Sequence, residues 1–185
     1  MISEKDILAG GIRGKQSSQW ELYNRYSRLL LAICNRYAKD MDEAEDILQE
    51  GFVKIFLNIK EFKGDGPLLA WMRRIMINTA ITHYHKMRKH RYHDDLGEVS
   101  ESKFEDKGWG EAEFTGEELF RVIQQMPDGY RQVFNLYAME GYKHREIAEI
   151  MKIDENTSKS QYSRARRWLQ ERLHTLKEER RKRDE

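Results

Sequence analysis

Asn156, Lys159, Ser160, Ser163, Arg164 and Arg167 recur on one face of a run with almost no acid between Asn156 and Leu169. Short polar and long cationic side chains of this kind hydrogen-bond base edges and pair with phosphates. A second candidate follows Thr82, where HYHKMRKHRY mixes cations with aromatic rings. Rings that stack on unpaired bases and cations that follow a backbone suit single-stranded or melted nucleic acid. A third is the side made by Asp42, Glu45, Asp46, Gln49, Glu50 and Val53. Acids in a first helical turn suit the helix dipole. Asp46, Gln49 and Glu50 continue well past that turn, which points to a docking ridge for a partner.

Other chemistry finds no support. His83, His85, His90 and His93 lack the spacing of a metal site and have no cysteine nearby, so no metal is expected. There is no Gly-rich phosphate loop, G-x-S-x-G or H-E-x-x-H, and no supported Cys/His dyad, so no catalytic residue is assigned. Asp42, Asp46 and Glu50 share a face but have no opposing ligands for a cation.

These residues need helices to position them. Trp20, Tyr23, Tyr26, Leu30, Ile33 and Tyr37 step by three and four, predicting a long amphipathic helix over 19–39 with these residues inward. Ala44, Ile47, Leu48, Gly51, Phe52, Ile55, Phe56 and Ile59 form the stripe of the next, over 42–59. A short helix over 3–10 is expected to stop at Gly10-Gly11, and Pro67 opens a helix whose apolar residues go most of the way round. Residues 94–118 are acidic, carry Gly and Ser and are poor in aliphatics, which reads as a flexible linker. Beyond it, Leu119, Phe120, Ile123 and Met126 face inward before Pro127, then Tyr130, Val133, Phe134 and Tyr137 before Gly141. Ile147, Ala148 and Met151 share a face, a tight break follows at Lys152-Ile153-Asp154, and Ser158, Tyr162, Ala165, Leu169 and Leu173 form the last stripe. Two helices with so short a turn, the second polar and basic outside, read as a helix-turn-helix.

The fold class is therefore all-α. Two small helical domains, 1–93 and 116–185, are joined by a flexible acidic linker, 94–115; the second is a four-helix domain with the helix-turn-helix and a charged tail. With 39% hydrophobic and 35% charged residues and a net charge of +1, nucleic-acid binding has to come from segregated charge. One cysteine, no 18-residue apolar run and no secretory pattern at the start indicate a cytoplasmic protein.

In this order the parts resemble an extracytoplasmic-function (group 4) sigma factor of bacterial RNA polymerase. DEAEDILQEGFVKIF (42–56) is similar to the family's region 2.2, and FKGDGPLLAWMRRIMINTAITHYHKMRK (62–89) to regions 2.3 and 2.4. The stretch from Met126 to Leu173 is similar to region 4. The resemblance implies promoter recognition on behalf of core RNA polymerase, with contacts to its β′ clamp helices and β flap, to promoter DNA and to an anti-sigma factor. It places Asp46, Gln49, Glu50 and Val53 on the β′ helices. Trp71, Asn78, Lys86, Arg88 and Lys89 fall at the −10 element. Lys159, Ser160, Ser163 and Arg164 face −35 bases, with Arg145, Thr157 and Arg166 towards the backbone. No cofactor is implied. Lys152 stands where the family usually has Gly, and Ser158 and Tyr162 replace its usual aliphatic pair. Two other readings remain open: a stand-alone helix-turn-helix regulator with an N-terminal sensing or dimerisation domain, and an enzyme acting on nucleic acid.

Overall fold

In a computed structural model the chain divides into two compact units, 1–92 and 93–185; residues 3–90 and 114–184 are described, apart from the side chains of Lys89, His90 and Asp184. The expected linker lies outside the described residues except for Phe114 and Thr115. No strand occurs among the described residues.

The first unit contains α1 (Glu4–Ile12), α2 (Gln16–Tyr37), α3 (Met41–Asn58) and α4 (Leu68–His90), with a 3-10 turn at Ile59–Glu61. Asp40 caps α3 by accepting from the Glu43 N–H at 2.9 Å, and the Glu43 carboxylate accepts from the Lys39 N–H at 2.6 Å. Leu22 and Leu30 of α2, Ile47 and Ile55 of α3, and Met72 and Met76 of α4 are buried together in the core. α4 packs against both α2 and α3, which is why its apolar residues spread around the helix.

α1 does not stop at Gly10-Gly11. Both glycines are buried inside it; a Cβ at Gly10 would meet Ser18 Oγ at 1.9 Å, and one at Gly11 the Ile59 Cδ1 at 2.9 Å. They admit close neighbours rather than break the helix. Tyr26 is hydrogen-bonded to Glu4; burial, then that carboxylate, pushes the phenol up to about 12. Burial likewise pushes Cys34 up to about 12, leaving it an inert core thiol. Trp20 departs from its expected inward place: it lies largely exposed on Tyr23, whose ring is covered by Phe52 at 4.7 Å.

The second unit contains α5 (Gly116–Gln124), α6 (Asp128–Phe134) widening into a π-helical turn over Asn135–Met139, then α7 (His144–Met151) and α8 (Glu155–Asp184). Thr115 and Glu118 form a capping box at the start of α5. Val122, Met126, Phe134, Ala165, Leu169 and Leu173 are the core. Arg131 is buried among them with its charge met on three sides: it donates to the Gln124 and Met126 carbonyls and pairs with Asp128 at 2.7 Å. The charged tail continues α8, and Arg180 reaches back to Glu118 and the Phe114 ring.

The π turn overturns one expectation. The Glu140 N–H bonds the carbonyl five residues back, at Asn135, and Tyr137, expected inward, is 38% exposed. One extra residue in the turn shifts the phase of everything after it.

Lys152 ends α7 in the left-handed region (φ 54°, ψ 49°), where the Ile153 N–H bonds the Ala148 carbonyl at 3.0 Å. It is the one non-glycine residue with positive φ among the described residues. Lys152→Gly is expected to stabilise this unit by about 1 kcal/mol, since the left-handed cost to an L side chain exceeds glycine's entropy loss. For a unit of this size that reads as a rise of roughly 4–8 °C in its melting midpoint.

Candidate nucleic-acid and protein interface

On α3 the apolar stripe turns inward and leaves a second lane outside. Asp42, Asp46, Gln49 and Val53 are all exposed, at helical steps of three, four and seven. Val53 is 57% exposed at the end of the acids, and Leu57, four residues on, is 75% exposed. Leu57 went unassigned in the sequence although its spacing from Val53 places it on the same lane. Glu50 is turned towards α4: its carboxylate lies 2.8 Å from Lys54 Nζ and 3.8 Å from Lys86 Nζ. The hydrogen bond from Lys54 holds Glu50 below the usual carboxylate range. Lys54 also donates to the buried Thr79 hydroxyl of α4 at 3.2 Å, so this ridge and α4 are fastened together.

Trp71, Asn78 and Thr82 share one face of α4 at steps of seven and four. Trp71 is half-buried against Phe62, with ring centroids 5.7 Å apart. Asn78 is exposed, and its carbonyl accepts from Thr82 Oγ1 at 2.8 Å. Arg88 is exposed; Lys86 is exposed but lies on the α3 side beside Glu50. The Lys89 side chain lies outside the described residues. His83 is engaged by Glu43 of α3, Nδ1 to Oε1 at 3.1 Å, and His85 lies against Tyr84. Among the described residues no cluster of three or more His, Cys, Asp or Glu is arranged to hold a metal ion.

α8 begins directly after Asp154, whose carbonyl accepts from the Ser158 N–H. Ser158, Ala165, Leu169 and Leu173 are buried, which leaves Asn156, Lys159, Ser160 and Ser163 exposed and Thr157 and Arg164 half-buried on the other side, while Arg166, seven residues before Leu173, is half-buried at the edge of the buried stripe. Lys159 is 2.7 Å from Glu155, one turn earlier, and its hydrogen bond holds the Glu155 carboxyl down. Ser160 Oγ donates to the Thr157 carbonyl at 3.0 Å, and Arg167 pairs with Glu171 at 2.9 Å. Arg145 on α7 is highly exposed, 3.8 Å from Glu149.

His144, the first residue of α7, escaped the sequence analysis. Its ring stacks on Tyr137 at 4.4 Å, and its Nδ1 is hydrogen-bonded to Ser158 Oγ at 3.0 Å. Burial, then the Lys159 charge, lowers its pKa; Glu155 opposes them, and the rings of Tyr137 and Tyr162 complete its surroundings. The unfolded chain therefore takes up this proton more readily than the folded one. His144 contributes most above about pH 6.5, and the contribution is lost as pH falls from there. The urea midpoint of the second unit is expected to drop between pH 7.5 and 5.5, with a smaller drop in His144→Phe.

Comparison with known proteins agrees with this arrangement. Residues 22–90 match the Sigma-70 region 2 family, and residues 116–169 match Sigma-70 region 4. The RNA polymerase sigma-H factor of Pseudomonas aeruginosa is 28% identical over 174 residues, covering 89% of this chain and 90% of that protein. The ECF RNA polymerase sigma-E factor of Escherichia coli K12 is likewise 28% identical, covering 89% and 91%. In fold the chain resembles the Bartonella quintana sigma factor RpoE, solved with the anti-sigma factor NepR (TM-score 0.52, 21% identity, 83% of this chain and 95% of that one). No helix among the described residues is long and apolar enough to cross a membrane. A region 2 unit followed by a region 4 unit, together matching most of the sequence, makes the chain a member of the sigma-70 family, an RNA polymerase sigma factor of the extracytoplasmic-function type.

Proposed function

We propose that the α3 ridge docks on the β′ clamp helices of core RNA polymerase, with Asp46, Gln49 and Val53 facing them. Glu50 acts from the α4 side, and the β flap is a further contact. The −10 strand follows α4, where Trp71 and Asn78 meet unpaired bases and Lys86, Arg88 and Lys89 hold phosphates. The −35 element is read in the major groove by Lys159, Ser160, Ser163 and Arg164, with Arg145, Thr157 and Arg166 towards the backbone. The domains are 1–93 and 116–185, joined by a flexible linker. The protein works in the cytoplasm as an initiation factor without a catalytic site of its own, and an anti-sigma factor holds it in reserve.

One observation carries this reading: α8 buries one face in its own core and leaves short polar and cationic side chains on the other. The deciding experiment is run-off transcription from genomic fragments with core polymerase and the purified chain. Start sites that depend on both promoter elements are expected. Tight, specific duplex binding without polymerase would favour a stand-alone regulator instead.

A further inference from the structure

Ser158 is 0% exposed at a position where hydrocarbon would serve the core better. A buried hydroxyl without a partner is costly, so its bond to His144 has to be kept. That bond spans fourteen residues and joins the start of α7 to the first turns of α8. The same imidazole stacks on Tyr137 with the planes 16° apart, and Tyr162, one turn beyond Ser158, packs on Tyr137 at 4.3 Å and Phe134 at 6.1 Å. One ring therefore ties α7, α8 and the π turn together. Tyr137, partly exposed, supplies the surface on which it rests.

Aliphatic packing between two helices has no preferred direction, whereas a hydrogen bond does. Lys159 and Ser160 follow Ser158 immediately, and Ser163 lies five residues on. At a helix radius of about 6 Å, a roll of roughly 20° carries a side-chain tip by about 2 Å, enough to break a base contact.

We propose that His144, through its bond to Ser158, is the positioning residue that sets the roll of α8 and hence which −35 base pairs Lys159 and Ser163 reach. The assignment rests on the reading of α8 as the −35 helix. It gives this chain a polar pin between its two helices.

The test is transcription by core polymerase with the full-length chain from a promoter library randomised at the −35 element. His144→Phe keeps a ring against Tyr137 but removes the hydrogen-bonding partner of Ser158. Ser158→Ala removes the hydroxyl. His144→Asn keeps a polar group near the position of Nδ1 and gives up the stack. His144→Phe and Ser158→Ala are each expected to change preference by about tenfold at one or two −35 positions. The double variant is expected to be no worse than either, because both remove the same bond. His144→Asn is expected to keep the wild-type order of −35 sequences. Thermal melting accompanies each variant, and Ser158→Ala, a small deletion, carries the test if His144→Phe does not fold.

A uniform fall in all transcripts with the order of −35 sequences unchanged would overturn the proposal, since it marks a pair that only stabilises. A reordering by His144→Asn as large as that by His144→Phe would overturn it too, since keeping a polar partner for Ser158 would then not preserve the order. If wild-type transcription is indifferent to the −35 sequence, it is the parent reading of α8 that fails.

Discussion

Asp46→Arg is expected to weaken binding of core polymerase about 100-fold and to leave the melting of the first unit unchanged. The residue is exposed, so the replacement meets water in the free protein and costs the fold little. If the α3 ridge docks as proposed, the surface opposite its acids is cationic. A like charge set against that surface adds repulsion to the attraction lost, about 3 kcal/mol together at an exposed position. Val53→Ala is expected to weaken binding less and by a different route, through lost apolar burial. Raising the salt separates the two effects, because the Asp46→Ala deficit shrinks with screening while the Val53→Ala deficit persists. The comparison is Glu61→Arg, which reverses an exposed charge on the 3-10 turn beyond the ridge. Competition titration of a labelled chain against each variant measures all four. Equal affinity for the Asp46→Arg and Glu61→Arg chains would remove α3 from the interface.

The α3 ridge was legible because a helix with one buried stripe must present its remaining residues outside. Ala44, Ile47, Leu48, Phe52 and Ile55 all went where their spacing sends them. The inward face of α8 was legible for the same reason. Reading failed where a distant contact or a change of phase decides the outcome. Gly10 and Gly11 look like a stop signal, yet Ser18 and Ile59 approach them too closely for a Cβ. Trp20 continues the periodic stripe of α2 but rests on Tyr23 at the rim of the core. Tyr137 falls within the π turn and is partly exposed instead of inward. Ser158 was placed on the buried face correctly, but its partner comes from α7, and no periodicity within α8 points to His144. Of His83, His85, His90 and His93, the first binds Glu43, a contact forty residues apart in sequence.

Lys159→Ala is expected to relax base preference at one −35 position by about 1–3 kcal/mol, while the other positions keep theirs. Lys159 is exposed on the lane with Ser160 and Ser163, directly after the residue that His144 holds. In the free protein its ammonium lies against Glu155, so DNA competes with an ion pair that already exists. Glu155→Gln removes that competitor and is expected to tighten promoter binding without altering base preference. Arg145 tests the opposite behaviour from the same helix-turn-helix. It projects from the first turn of α7, and as a backbone contact its loss should weaken all −35 sequences alike and reduce the salt slope by about one. The pair of substitutions therefore divides the surface into a reading part and a holding part. If Lys159→Ala weakens every sequence equally, Lys159 holds the backbone, and base recognition on α8 passes to Ser163 and Arg164.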